Sequence, residues 1–231
     1  MSDPPREGDF RVPDAFWLHL DQGILRQGCH AYQGAVYMEE TSSKDYCFRV
    51  LQNSHRYHKS FFEKFPKAAE KTRSVDFLRL NNINLKWYAE QGCPLVYVPV
   101  PKGGMVLWDS RTVHDTDPPD INRSDGNRWR CVVFVSMTPA IWANESDLEF
   151  KRNVYKNMQL TTHWSSQGQT ALDNTNRGIS KISRAVMDKH SILELPGIAR
   201  TTDVKLLMGV DVYDFNDGKP NGPAPPTWLE P

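Results

Sequence analysis

Five short β-type runs divide the middle of the chain: Gly34–Met38, Cys47–Leu51, Leu95–Val100, Met105–Trp108 and Trp129–Met137, each bounded by turn-forming residues. Runs this short bury their apolar groups only by pairing into sheets, and 231 residues suffice for one full core with some peripheral structure. The last run, WRCVVFVSM, alternates so that Arg130, Val132, Phe134 and Ser136 share one face and Cys131, Val133 and Val135 the other. Helices are expected between the strands. His58–Phe65 carries Phe61, Phe62 and Phe65 at helical spacing until Pro66 interrupts it. Ile83–Gln91 carries Leu85, Trp87 and Tyr88 until Gly92 stops it, and Pro94 opens the next strand. After Pro139 the texture changes. Asn144–Met158 is charged and helix-permissive, Thr161–Gly168 is polar, Ile179–His190 is amphipathic, and Thr202 caps a short helix DVKLLM that Gly209 ends. The expected organisation is a mainly β core domain over 1–143 and a helical and irregular extension over 144–231 packed on it.

Basic and acidic residues balance at 28 each, so no net field favours nucleic acid or an anionic membrane, and a small molecule or another protein is the expected partner. Cys29, Cys47, Cys93 and Cys131 sit singly, without the spacing of a zinc knuckle or a disulfide framework, and read as reduced thiols. The polar start MSDPPREGDFRVPD leads into no apolar stretch, and no run approaches membrane-spanning length. The expectation is a soluble, cytoplasmic protein.

Chemistry enters with FWLHLDQG. His19 and Asp21 are two residues apart in a β-like context, so an imidazole and a carboxylate project to the same side. A third ligand comes much later in KGGMVLWDSRTVH, where two glycines open a hydrophobic strand and a turn delivers His114. Two histidines and one carboxylate form a facial triad that leaves three positions open, and iron(II) is the matching metal. An arginine follows at the start of the last β-type run. A guanidinium there would meet the far carboxylate of a chelating keto-acid bidentately. Arg130 shares its face with Val132 and Phe134, and Arg128, two positions earlier, has the same parity and is its rival.

HLDQG, YMEE, VLQNSHRYH, KWYAEQGCP, PKGGMVLWDSRTVH, RWRCVVFVSMTPA and TTHW together resemble phytanoyl-CoA dioxygenase-like proteins, over roughly residues 15 to 165. The resemblance implies a double-stranded β-helix, the jelly-roll of the cupin-like oxygenases, using iron(II) and 2-oxoglutarate. It implies metal ligands at His19, Asp21 and His114, a cosubstrate arginine at Arg130, a polar cosubstrate contact at Thr116, and Gln22 as the residue that follows the His-x-Asp. The implied reaction is hydroxylation of a small organic substrate by dioxygen, with succinate and carbon dioxide as coproducts; Asp21 argues against halogenation, since related halogenases leave that position to a halide. Eighteen residues precede His19, fewer than in most members, so the domain is expected to be N-terminally short, with weak cosubstrate affinity or exposed apolar surface. A non-catalytic jelly-roll that binds metal or a partner is the alternative from another class. A zinc hydrolase using the same residues lacks an obvious general base.

Other polar residues read structurally. Ser54, His55 and Arg56 suit a turn, Asp109 and Arg111 suit mutual pairing around the turn before His114, His30 and His58 lack partner spacing, and His163 packs beside Trp164 or approaches the site from the cap.

Overall fold

A turn residue sits at nearly every junction between strands, and the strands they separate pair antiparallel throughout. The structure, a computed structural model, describes residues 17–171 and 194–227. Two sheets form. The larger runs β4-β1-β7-β3-β5, from β1 (His19–Leu20), β3 (Phe48–Leu51), β4 (Leu78–Arg79), β5 (Leu95–Val98) and β7 (His114–Thr116). The smaller runs β6-β2-β8, from β2 (Tyr32–Tyr37), β6 (Met105–Asp109) and β8 (Val132–Met137). This is a mainly β, jelly-roll architecture, with few helices.

The period of two along each strand sorts its side chains between two cores. Phe48, Val50 and Val98 from the larger sheet meet Ala35, Tyr37, Val106, Trp108 and Val132 from the smaller one, and this cluster fills the space between the sheets. On the other face of the larger sheet, Leu18, Leu20, Leu51, Leu78 and Val113 pack against Phe61, Phe62, Ala68 and Tyr88 of the helices α1 (His58–Lys64), α2 (Pro66–Lys71) and α3 (Asn82–Glu90). Gly34 stands where β2 runs closest to its neighbours. A Cβ there would come within 2.5 Å of Leu107 and 2.8 Å of the Val106 carbonyl, so only glycine fits without displacing backbone.

Several boundaries differ from expectation, each for a local reason. Pro66 ends α1 and also begins α2, because its missing N–H is one that a first helical residue would not use. The last strand starts at Val132 rather than Trp129, so Arg128 and Arg130 lie on the irregular approach to β8 and strand parity does not govern them. Thr201, not Thr202, is the N-cap of α5 (Thr202–Leu207), and Gly209 follows it at φ 66. Asn81 caps α3 by accepting from the backbone of Ile83 and Asn84, and Gly92 takes φ 75 after it. The expected helix Ile179–His190 falls outside the described residues.

The chain divides into two compact units, Met1–Ser136 with Pro226–Pro231, and Met137–Pro225. The second holds α4 (Glu145–Lys156), whose start is fixed by a capping box between Asn144 and Asp147, and α5, whose C-terminal carbonyl at Leu207 accepts from Lys151 Nζ at 2.6 Å. Among the described residues no helix is long and apolar enough to cross a membrane, and the four cysteines form no disulfide with one another.

Candidate metal centre

β1 is two residues long, and its one polar side chain is the first member of the site. His19 pairs across the ladder with Arg79 on β4 and with His114 on β7, so the two imidazoles come to lie side by side, 4.5 Å between ring centroids. Asp21 follows two residues after His19 and turns to the same side. One ligand atom from each of His19, Asp21 and His114 lies within 4.8 Å of the others, and all three residues are buried.

The ring nitrogens are already assigned by their neighbours. His114 Nδ1 lies 2.8 Å from the Thr112 carbonyl and His19 Nδ1 lies 3.2 Å from the Trp17 carbonyl. A carbonyl oxygen only accepts, so each Nδ1 is the donor, and in the neutral tautomer Nε2 keeps the lone pair. Both lone pairs face Asp21: His19 Nε2 stands 3.5 Å from Oδ1 and His114 Nε2 3.4 Å from Oδ2. Neutral imidazoles and a carboxylate converging in this way form a donor set suited to a divalent cation. Aromatic rings hold the imidazoles in place. Trp17 stacks on His19 at 4.5 Å, and Phe48 and Trp108 flank His114 at 5.7 and 4.9 Å.

Thr116 lies on β7 two residues past His114, about 7 Å along the same face. Its hydroxyl accepts from Arg130 Nη2 at 3.4 Å. The Arg130 guanidinium lies 5.3 Å over the Phe134 ring, and burial pushes its pKa below the ordinary arginine value. Arg130 Nε is buried without a well-formed hydrogen bond, and the guanidinium interacts with the buried Tyr37 hydroxyl, whose pKa burial raises. A buried guanidinium N–H without a full partner costs free energy unless a ligand satisfies it, and a carboxylate is a group that would serve. Arg128 is placed differently: it reaches Asp45 at 3.2 Å, Glu40 at 3.2 Å and Asp125 at 3.8 Å, so its charge is already matched by carboxylates.

The remaining polar residues have structural partners. Gln22 donates to the carbonyls of Arg26 and Gly28 and accepts from Ser110 Oγ at 2.6 Å, tying the loop after β1 to the turn before β7. His58 is buried against the Gln22 carbonyl at 2.9 Å, and His30 meets the Thr227 carbonyl at 3.2 Å. Ser54 opens a short 3-10 helix and accepts the Val113 N–H at 2.9 Å. Arg111 pairs with Asp109 at 2.6 Å across the turn. His163 is exposed beside buried Trp164.

Sequence reasoning missed two groups. Gln33 on β2 donates to Asp21 Oδ2 at 3.1 Å and accepts from Trp108 Nε1 at 2.8 Å. The signal for it was a polar residue in phase with inward-facing Ala35 and Tyr37. On the other face of β7, Asp115 and Asp117 clasp buried Arg49 of β3 at 2.6 and 2.5 Å, with Tyr97 donating to Asp117 at 3.0 Å. Burial works against the Arg49 charge, but the carboxylates outweigh it and raise its pKa above the ordinary value.

A family model for phytanoyl-CoA dioxygenase matches residues 5–130, more than half of the chain, and that stretch contains the triad, Thr116, Arg128 and Arg130. The chain belongs to the phytanoyl-CoA dioxygenase family. Members of the phytanoyl-CoA dioxygenase family are 2-oxoglutarate-dependent dioxygenases that use iron(II), and the buried His-Asp-His cluster gives this member a candidate iron site. The chain is also similar to the Ava biosynthesis cluster protein O of Aspergillus versicolor, 24% identical over 165 residues. That alignment covers 70% of this chain and 51% of the relative, so the chain spans about half the length of the curated relative it matches.

Proposed function

We propose that this protein is an iron(II)- and 2-oxoglutarate-dependent dioxygenase that hydroxylates a small organic substrate, releasing succinate and carbon dioxide. His19, Asp21 and His114 would hold the metal through Nε2, a carboxylate oxygen and Nε2. The observation that carries the reading is the preset tautomer of both histidines, each Nδ1 committed to a carbonyl and each Nε2 turned toward Asp21. Iron with its keto-acid cosubstrate, when bound, supplies the oxidising chemistry that no side chain here possesses.

What the chain's own residues contribute is placement. Arg130, Thr116 and Tyr37 offer donors to the far carboxylate of 2-oxoglutarate, Thr116 from the strand that also carries His114. Trp108 and Phe48 keep water from the inner side of the His114 ring. The biosynthesis cluster named for the relative favours a small organic molecule as substrate. A hydrolytic use of the same triad finds no support in the neighbouring carboxylates, since Asp115 and Asp117 are engaged with Arg49.

Anaerobic addition of iron(II) and then 2-oxoglutarate, followed by admission of air, tests the reading. A weak visible charge-transfer band and then oxygen-dependent succinate are expected. Metal binding with neither band nor succinate would leave a non-catalytic metal-binding jelly-roll.

A further inference from the structure

We propose that Gln33 is a positioning residue of the metal centre, holding one oxygen of Asp21 so that the other is presented to the cation between the two histidines. The inference rests on reading His19, Asp21 and His114 as a metal site.

Donor and acceptor roles along the chain of contacts are forced. An indole N–H only donates, so the atom of Gln33 that Trp108 Nε1 meets at 2.8 Å must be the carbonyl oxygen. The amide nitrogen therefore points the other way and donates to Asp21 Oδ2 at 3.1 Å. No flipped amide satisfies both neighbours. Gln33, Asp21 and Trp108 are 2%, 3% and 8% exposed, so little water competes for these bonds.

Register explains why the arrangement is rigid. Gln33 and Trp108 are direct cross-strand partners on β2 and β6, while Asp21 follows β1 in the other sheet. The Gln33–Asp21 bond thus spans the two sheets at the metal centre. The Trp108 ring also packs 4.9 Å from His114, so one indole steadies two of the three ligands, one through Gln33 and one directly. A carboxylate left to itself can offer both oxygens to a cation and occupy a position that cosubstrate or dioxygen needs. Oδ1 stands 3.5 Å from His19 Nε2 and Oδ2 3.4 Å from His114 Nε2, so the Gln33 amide, by engaging Oδ2, biases the carboxylate toward single-oxygen donation through Oδ1.

Cobalt(II) titration of the full chain, anaerobic and without cosubstrate, tests this, since cobalt absorption reports coordination number independently of turnover. Gln33→Met keeps the length and removes both hydrogen bonds. Gln33→Asn keeps the amide but falls one methylene short of Asp21, and decides the question if the first variant does not fold. Expected are a cobalt affinity roughly ten- to a hundredfold weaker than the parent's and a changed absorption intensity. A role limited to satisfying Trp108 would lower only the melting temperature of the metal-free protein. Affinity within about twofold of the parent (roughly 0.4 kcal/mol) with an unchanged spectrum overturns the proposal. A parent that binds no cobalt, or binds it undiminished after Asp21→Ala, overturns the metal site itself and this inference with it.

Discussion

Arg130 donates to Thr116 Oγ1 at 3.4 Å, from a guanidinium whose Nε is buried without a partner. Thr116 is on the strand that opens with His114, so the contact connects a buried guanidinium, with no carboxylate paired to it among the described residues, to the strand carrying His114. Arg128, two residues earlier, turns to Asp45 and Glu40 instead.

Cosubstrate titration at saturating iron should therefore separate the two arginines. An inward guanidinium holding a desolvated carboxylate contributes on the order of 3 kcal/mol, so Arg130→Ala should raise the 2-oxoglutarate requirement by roughly a hundredfold. Arg128→Ala should change it only a few-fold and show its effect in the melting temperature, because Asp45 loses a partner. Lysine at 130 should rescue in part, keeping the charge and losing the fork. A crippled Arg128→Ala beside a normal Arg130→Ala would place the anchor at 128.

His19→Ala, Asp21→Ala and His114→Ala should each abolish succinate formation while leaving the far-ultraviolet spectrum intact, since one ligand of three is lost. His30→Ala and His58→Ala should bind the cation with parent affinity yet melt lower. Both imidazoles are buried against backbone carbonyls, and deletion of such a group costs roughly 1–3 kcal/mol. Loss of metal from either variant would mean that the ligand set had been misassigned.

The same two histidines set a pH dependence of stability. Burial lowers each from 6.5 to about 4. Between those values the unfolded chain binds protons that the folded chain excludes, so stability is full above 6.5 and is lost as pH falls toward 4. The shift implies on the order of 3 kcal/mol for His58 across that window, and less for His30. Denaturant midpoints measured from pH 7.5 to 4.5 should fall, and His58→Gln should flatten part of the slope. A flat profile would show that these rings take up protons as readily in the native state as in the unfolded chain.

Arg49 lies between Asp115 and Asp117, with all three side chains buried. Arg49→Met should destabilise by about 3–5 kcal/mol, because two desolvated carboxylates lose their only buried cation among these three groups. Adding Asp115→Asn and Asp117→Asn should restore much of that loss. Chemical denaturation of the single and triple variants checks the sign, and a triple variant no more stable than Arg49→Met would count against charge burial as the cause.

What the sequence by itself determined is local. The spacing of His19 and Asp21 in an extended segment places both on one side, the alternation in WRCVVFVSM specifies a sheet, and Gly92 and Gly209 mark helix ends because their neighbours cannot adopt positive φ cheaply. Each of these follows from geometry within a few residues. Tertiary structure decided the rest, because it depends on which strands meet and in what register. Gln33 finds Asp21 12 positions away and Trp108 75 away, and Arg49 finds Asp115 66 away. A buried amide or guanidinium is stable only beside the partner that offsets its desolvation, and no sequence window contains both. The same reason separated Arg130 from Arg128. The family resemblance singles out Arg130, while strand parity does not, and closure of the sheets leaves Arg130 beside Thr116 and gives Arg128 to Asp45 and Glu40.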